Sequence, residues 1–221
     1  MKGLLITFEG NEGSGKSTQI ASLALRLKAM GRDVRVLREP GGTPIGEEIR
    51  HTLKHSQDNH AMTPETELLL MNASRAQLVR EVIHPALQAG EVVLCDRFYD
   101  STTAYQGYGR QLDLAMVQSV IEVAIGDVRP DLTLLLLVPQ SLSEDRRAAR
   151  LAAQTPVRDR MEEADREFFI RVAQGYEAIA AAEPLRVRKI DATGEQSFVE
   201  GEIWKNVLPL LKAEAGSESR L

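Results

Sequence analysis

One cysteine occurs in the whole sequence, Cys95. An internal disulfide framework is therefore excluded, and its place in the apolar run Val92-Val93-Leu94-Cys95 marks a buried, inert thiol rather than a nucleophile. No apolar run approaches the roughly twenty residues needed to cross a bilayer, and Met1-Lys2-Gly3 leads straight into a β-rich run without the layout of a signal peptide. A cytoplasmic protein that does not enter membranes is expected. Positive charge is also short: 27 Lys and Arg against 32 Asp and Glu leave a net charge of -5. That balance gives no support to nucleic-acid binding, so an anionic ligand would need arginines concentrated locally. A Ser-His-Asp or Cys-His arrangement is missing, as are the guanine-reading Asn-Lys-x-Asp and the transporter signature Leu-Ser-Gly-Gly-Gln. No low-complexity linker divides the chain, whose 43% hydrophobic content suits one sizeable core; a single domain over residues 1–212 is expected. The polar residues 213–221 read as a poorly ordered tail.

The strongest positive signal is Gly10-Asn11-Glu12-Gly13-Ser14-Gly15-Lys16-Ser17, followed by Thr18, which fits the phosphate-binding pattern Gly-x4-Gly-Lys-Ser/Thr. The β-rich Leu4-Leu5-Ile6-Thr7-Phe8 precedes it and a helical pattern from Lys16 follows. Glycines let successive N–H groups point into one concavity, and the helix N-terminus adds unpaired donors and the positive end of its dipole. Lys16 would reach the β and γ phosphates of ATP, and the Ser17 hydroxyl would ligate Mg²⁺.

Five strands are predicted, at Leu4–Phe8, Val34–Leu37, Val92–Cys95, Asp131–Val138 and Val187–Ile190. The fourth is the most apolar and lacks alternation, which predicts burial on both faces. Helical patterns fill the intervals: Ser17–Met30, Pro44–Leu53, a long one from Thr63-Pro64 to about Arg80 that breaks or kinks at His84-Pro85, Ser101–Tyr105 with a bend at Gly107–Gly109, Leu114–Ile125, Ser143–Ala153, Glu162–Ala182 and Phe198–Leu211. Alternation of this kind predicts an α/β fold, a three-layer arrangement with a parallel sheet of about five strands and helices on both faces. Ligands of such sheets bind beyond the C-terminal strand ends. The loop at 10–17, Arg38-Glu39-Pro40 and Asp96-Arg97 all stand there and should converge.

Four blocks, Phe8–Thr18, Arg38-Glu39-Pro40-Gly41-Gly42-Thr43, Asp96-Arg97-Phe98 and Ser101-Thr102-Thr103-Ala104-Tyr105-Gln106-Gly107, resemble those of bacterial thymidylate kinases, within the P-loop nucleoside monophosphate kinases. The likeness runs from Lys2 to about Leu211. It implies a P-loop kinase fold with a small lid at about residues 147–161, transfer of the ATP γ-phosphoryl group to dTMP with Mg²⁺ in dTTP biosynthesis, and a homodimer packed through helices. By the same resemblance Arg97 holds the dTMP phosphate with Arg50 beside it, and Glu9 lies near the substrate sugar and metal. Arg75 donates to a thymine carbonyl, Thr102 and Gln106 meet the ring edge, Tyr105 lies against the deoxyribose, and Glu39 and Pro40 border the base. Asp96 either anchors Mg²⁺ through water or orients Arg97.

Two positions depart from the family pattern. Met71 stands where an aromatic residue commonly stacks on thymine, and Leu137 where an aspartate is usual. Glu12 occupies the loop position at which some members carry a catalytic arginine, which directs attention to Arg150, Arg158 and Arg160, with Arg158 favoured. Arg146 and Arg147 read as solvated helix residues. The alternatives left open are a kinase for another nucleoside or deoxynucleoside monophosphate and a catalytically weakened nucleotide-binding protein.

Overall fold

The structure is a computed structural model that describes residues 3–153, 160 and 164–218. Five parallel strands form one sheet in the order β2-β3-β1-β4-β5, with β1 Leu4–Glu9, β2 Val34–Arg38, β3 Val92–Asp96, β4 Leu132–Leu137 and β5 Val187–Asp191. All five predicted strands are present. β1 is buried along its whole length and β4 except at Leu137, because both are interior strands covered on two faces. The edge strand β5 buries Val187 and Ile190 and leaves Arg188, Lys189 and Asp191 exposed.

One face is covered by α1 (Lys16–Ala29) and α9 (Gln196–Glu218), whose Ile20, Leu23, Leu27, Ile203 and Val207 pack on Ile6, Phe8 and Leu134. The other carries α3 (Pro64–Leu78), α4 (His84–Gln88), α6 (Leu114–Ile125) and α8 (Arg166–Ala182), with Leu78, Ile83, Phe98 and Ile121 in one cluster and Tyr105, Phe168, Val172 and Tyr176 in another. The remaining helices are α2 (Pro44–Lys54), α5 (Tyr99–Thr102) and α7 (Gln140–Ala153).

Several boundaries differ from expectation for identifiable reasons. The chain stays helical through His84-Pro85: residues Val79–Ile83 widen into a π-helical turn before α4 begins. A proline lacks the N–H of a regular ladder and crowds the preceding turn, and local widening is one way to accommodate it. Likewise Thr103–Gly109 is π-helical rather than bent at its glycines. Gly109 serves close packing instead, since a Cβ there would stand 2.6 Å from the Phe168 ring of α8. The last helix continues to Glu218, beyond the expected end at Leu211, through a stretch rich in Ala, Glu and Lys that favours helix without needing an apolar stripe. α8 begins at Arg166 rather than Glu162, with the Asp165 carboxylate capping the Phe168 N–H at 2.7 Å.

Candidate active site

β1, β3 and β2 are neighbours, so the three segments that leave their C-terminal ends meet. They open on a cavity of about 190 Å³ whose wall includes Asn11, Glu12, Glu39, Pro40, Met71, Arg75, Arg97, Thr102, Tyr105 and Gln106. Each was a sequence-derived candidate. Lys16 is nearly buried at the start of α1, and its Nζ donates to the Gly10 and Asn11 carbonyls, both at 3.1 Å. Burial, followed by the nearby charge of Arg97, lowers its pKa to about 8.

Arg97 is the distinctive residue of the site. Its backbone sits at φ +71, a left-handed conformation unusual for arginine, and its N–H is fixed to the Phe8 carbonyl at 2.9 Å. The guanidinium donates to Ser101 Oγ (3.0 Å), the Tyr176 hydroxyl (3.2 Å) and the Tyr105 hydroxyl (3.2 Å). All three partners are neutral, and among the described residues no direct ion pair cancels the positive charge. Behind it stands Glu9, fully buried, accepting from the Phe98 N–H at 2.7 Å, Ser101 Oγ at 2.5 Å and the Tyr176 hydroxyl at 2.9 Å. Burial, then the charge of Asp100, raises the Glu9 pKa to about 7, against the opposing pull of Arg97. Glu9 is not part of the wall of this cavity. Both of its oxygens are occupied by protein donors, and it holds the frame that aims Arg97.

Two further candidates are engaged by the protein itself. Arg50 is not in the cavity wall and donates to the Pro40 carbonyl at 2.9 Å, because α2 sets it against the loop after β2. Arg75 is in the wall, and its guanidinium makes four hydrogen bonds within the protein, Nε to Glu39, Nη1 to Asn72 and Thr102 and Nη2 to the Phe98 carbonyl, besides its ion pair with Glu39. Gln106 is similarly tied, donating to the buried Glu67 at 2.7 Å.

Ser17 Oγ donates to Asp96 Oδ2 at 3.3 Å, while Asp96 Oδ1 is buried without a partner. Two hard oxygen donors with an unused carboxylate oxygen fit Mg²⁺, which keeps several waters and takes further oxygens from phosphates. Among the described residues no cluster of three or more carboxylate, histidine or cysteine ligands offers an all-protein metal cage.

Of the candidate lid residues, Arg158 lies outside the described residues, as does the side chain of Arg150. Arg160 is bound to the Glu67 carboxylate and, at 2.9 Å, to the Met62 carbonyl. Leu137 packs with Met71 and Phe169 against the cluster around Tyr105 and Phe168.

Sequence reasoning missed Tyr176, Ser143, Arg146 and Phe169. Arg146, expected to be solvated, instead donates to the carbonyls of Gly13 (3.3 Å) and Ala192 (3.2 Å), joining α7 to the phosphate loop and to the segment after β5. Phe169 adds an aromatic wall to the cavity beside Met71. Its only sequence signal is the Phe168-Phe169 pair, of which the helical stripe assigns Phe168 to the core.

A phosphate loop at a strand end, an aimed arginine beside it and one walled cavity on a parallel sheet define a P-loop kinase acting on a nucleotide. The family model for thymidylate kinase matches residues 8–203. A thymidylate kinase of Chlorobium luteolum is 50% identical over 193 residues, covering 86% of this chain and 89% of that protein. One of Deinococcus radiodurans is 47% identical over 206 residues, covering 93% and 97%. The crystal structure of thymidylate kinase from Ehrlichia chaffeensis superposes with a TM-score of 0.75 at 32% identity, covering 94% of this chain and all of that one. The chain belongs to the thymidylate kinase family.

Proposed function

We infer that the chain transfers the γ-phosphoryl group of ATP to the 5′-phosphate of dTMP, giving dTDP for dTTP biosynthesis. The observation that carries this reading is Arg97, whose guanidinium is held by neutral hydroxyl partners and stands at a strand end beside the phosphate loop. A phosphate monoester with a second pKa of about 6 is mostly dianionic at neutral pH, so the nucleophile needs no general base. The protein's task is to align two anions that repel each other and to stabilise the transferring group.

In this reading Lys16 leaves the Gly10 and Asn11 carbonyls for the polyphosphate of ATP, and Arg97 binds the acceptor phosphate. Glu9, Ser101 and Tyr176 keep the guanidinium fork in place through the hydrogen bonds described above. Ser17 and Asp96 would hold Mg²⁺, which when bound neutralises charge on the phosphates. Met71, Phe169 and Pro40 provide apolar walls for the base, and Thr102 and Gln106 lie where its edge would come. Residues 1–212 act as one kinase domain, with the remaining charge over the transferring group supplied from the lid, Arg158 being the favoured residue.

The chain further acts in the cytoplasm and without nucleic acid. It works as a homodimer: Leu69 on α3 and Val123 on α6 expose 58% and 76% of their surface, which suits burial against a second copy. A coupled assay of ADP release across nucleoside monophosphates, with ATP and Mg²⁺, tests the substrate assignment. Turnover is expected with dTMP; none with dTMP alongside turnover of another acceptor refutes it.

A further inference from the structure

The apex of the phosphate loop is a hydrogen-bonded turn. The Ser14 N–H donates to the Asn11 carbonyl at 3.3 Å, and Gly13, the third residue of Asn11-Glu12-Gly13-Ser14, stands at φ +75. Positive φ at that position is the type II turn, which differs from type I chiefly by a flip of the central peptide, here Glu12–Gly13. Glycine lowers the steric barrier between the two forms. In a planar trans peptide the carbonyl and the N–H point in opposite directions. The flip therefore decides whether the phosphate site meets a donor N–H or a carbonyl oxygen that repels phosphate.

Helix α7 bears directly on this peptide. Ser143 Oγ donates to the Glu12 carbonyl, and Arg146 Nη1 donates to the Gly13 carbonyl at 3.3 Å. Contact is close, since a Cβ at position 13 would stand 2.8 Å from the Ser143 carbonyl oxygen. We propose that Ser143 is a positioning residue for the donor site. By drawing the Glu12 carbonyl outward onto α7, it holds the central peptide in the orientation that turns the Gly13 N–H toward the ATP polyphosphate. This rests on the reading of the loop as the ATP site; Ser143 borders the cavity beside Glu12, but its hydroxyl proton is committed to the Glu12 carbonyl, so it acts through the peptide.

The test compares the full-length native chain with Ser143→Ala and Ser143→Thr, measuring calorimetrically the affinities for ADP with Mg²⁺ and for dTMP. Ser143→Ala is expected to weaken ADP binding about fivefold to tenfold, the worth of one hydrogen bond, and to leave dTMP affinity and melting temperature at native values. Ser143→Thr, which keeps the hydroxyl, should restore ADP affinity. Native-like ADP binding by Ser143→Ala, a threonine variant as weak as the alanine one, or parallel losses of ADP and dTMP affinity each overturn the proposal. Failure of the native chain to bind ADP overturns the donor-site reading and the proposal with it, and is recognised without reference to any variant.

Discussion

Lys16 makes nucleotide binding depend on pH in a way that can be worked out in advance. Burial and the charge of Arg97 lower its pKa to about 8 in the free protein, whereas a bound polyphosphate would favour the charged form and return the pKa toward the ordinary lysine range. Binding above pH 8 must then take up a proton, and the apparent dissociation constant for ADP scales with 1 + 10^(pH − 8). Between pH 7.5 and 9 the affinity should fall about eightfold, approaching tenfold per unit above that. The nucleotide phosphates, with a second pKa of about 6, are already ionised across this window and add no slope of their own. Titration calorimetry in two buffers of different ionisation enthalpy counts the protons directly: about 0.2 per ADP bound at pH 7.5 and about 0.9 at pH 9. Arg97→Gln removes the second cause of the depression and should shift the curve to higher pH. An affinity flat from pH 7.5 to 9 with no proton uptake would refute the account.

The site geometry also separates two arginines that the sequence alone ranked differently. Arg97→Gln should lower kcat by about a hundredfold or more, as loss of a charge that stabilises the reacting group, whereas Arg146→Ala should raise KM for ATP about tenfold while KM for dTMP stays native; steady-state kinetics with each substrate varied distinguishes them. For Glu9, whose pKa of about 7 exceeds its ordinary 4.5, the folded chain binds more protons than the unfolded one between those values. Its contribution to stability is thus complete below pH 4.5 and lost as pH rises to 7, by about 3 kcal/mol, and Glu9→Gln should flatten that part of a stability profile measured by urea unfolding. Arg186 pairs with the buried Asp100 through Nη1 at 2.6 Å and Nη2 at 2.8 Å. Arg186→Met leaves that carboxylate uncompensated and should cost about 3–5 kcal/mol in urea unfolding, most of it recovered by adding Asp100→Leu.

What was legible in the sequence depended on whether its cause is local. β4 announced itself because five consecutive residues covered on two faces need no polar alternation, and α6 because its apolar residues recur at helical spacing and Gly126 follows its last residue. The phosphate loop and Arg97 were readable for the same reason: each is a short backbone device at a strand end. By contrast Tyr176 lies 79 residues from Arg97, and Ser143 lies 131 residues from the carbonyl it holds; no spacing rule connects such pairs. Arg75 shows the same limit from the other side, since its position beside the cavity was legible but its hydrogen bonds to Glu39, Asn72, Thr102 and Phe98 were not. The groups without a local signature, Ser143, Arg146, Tyr176 and Arg186, all come from the chain after β4, and each fixes a group belonging to the chain before it. The first half of the sequence thus carries the atoms suited to phosphate, and folding of the second half onto it sets their direction. A substitution in α7 or α8 can therefore disable the site while leaving every recognisable motif intact.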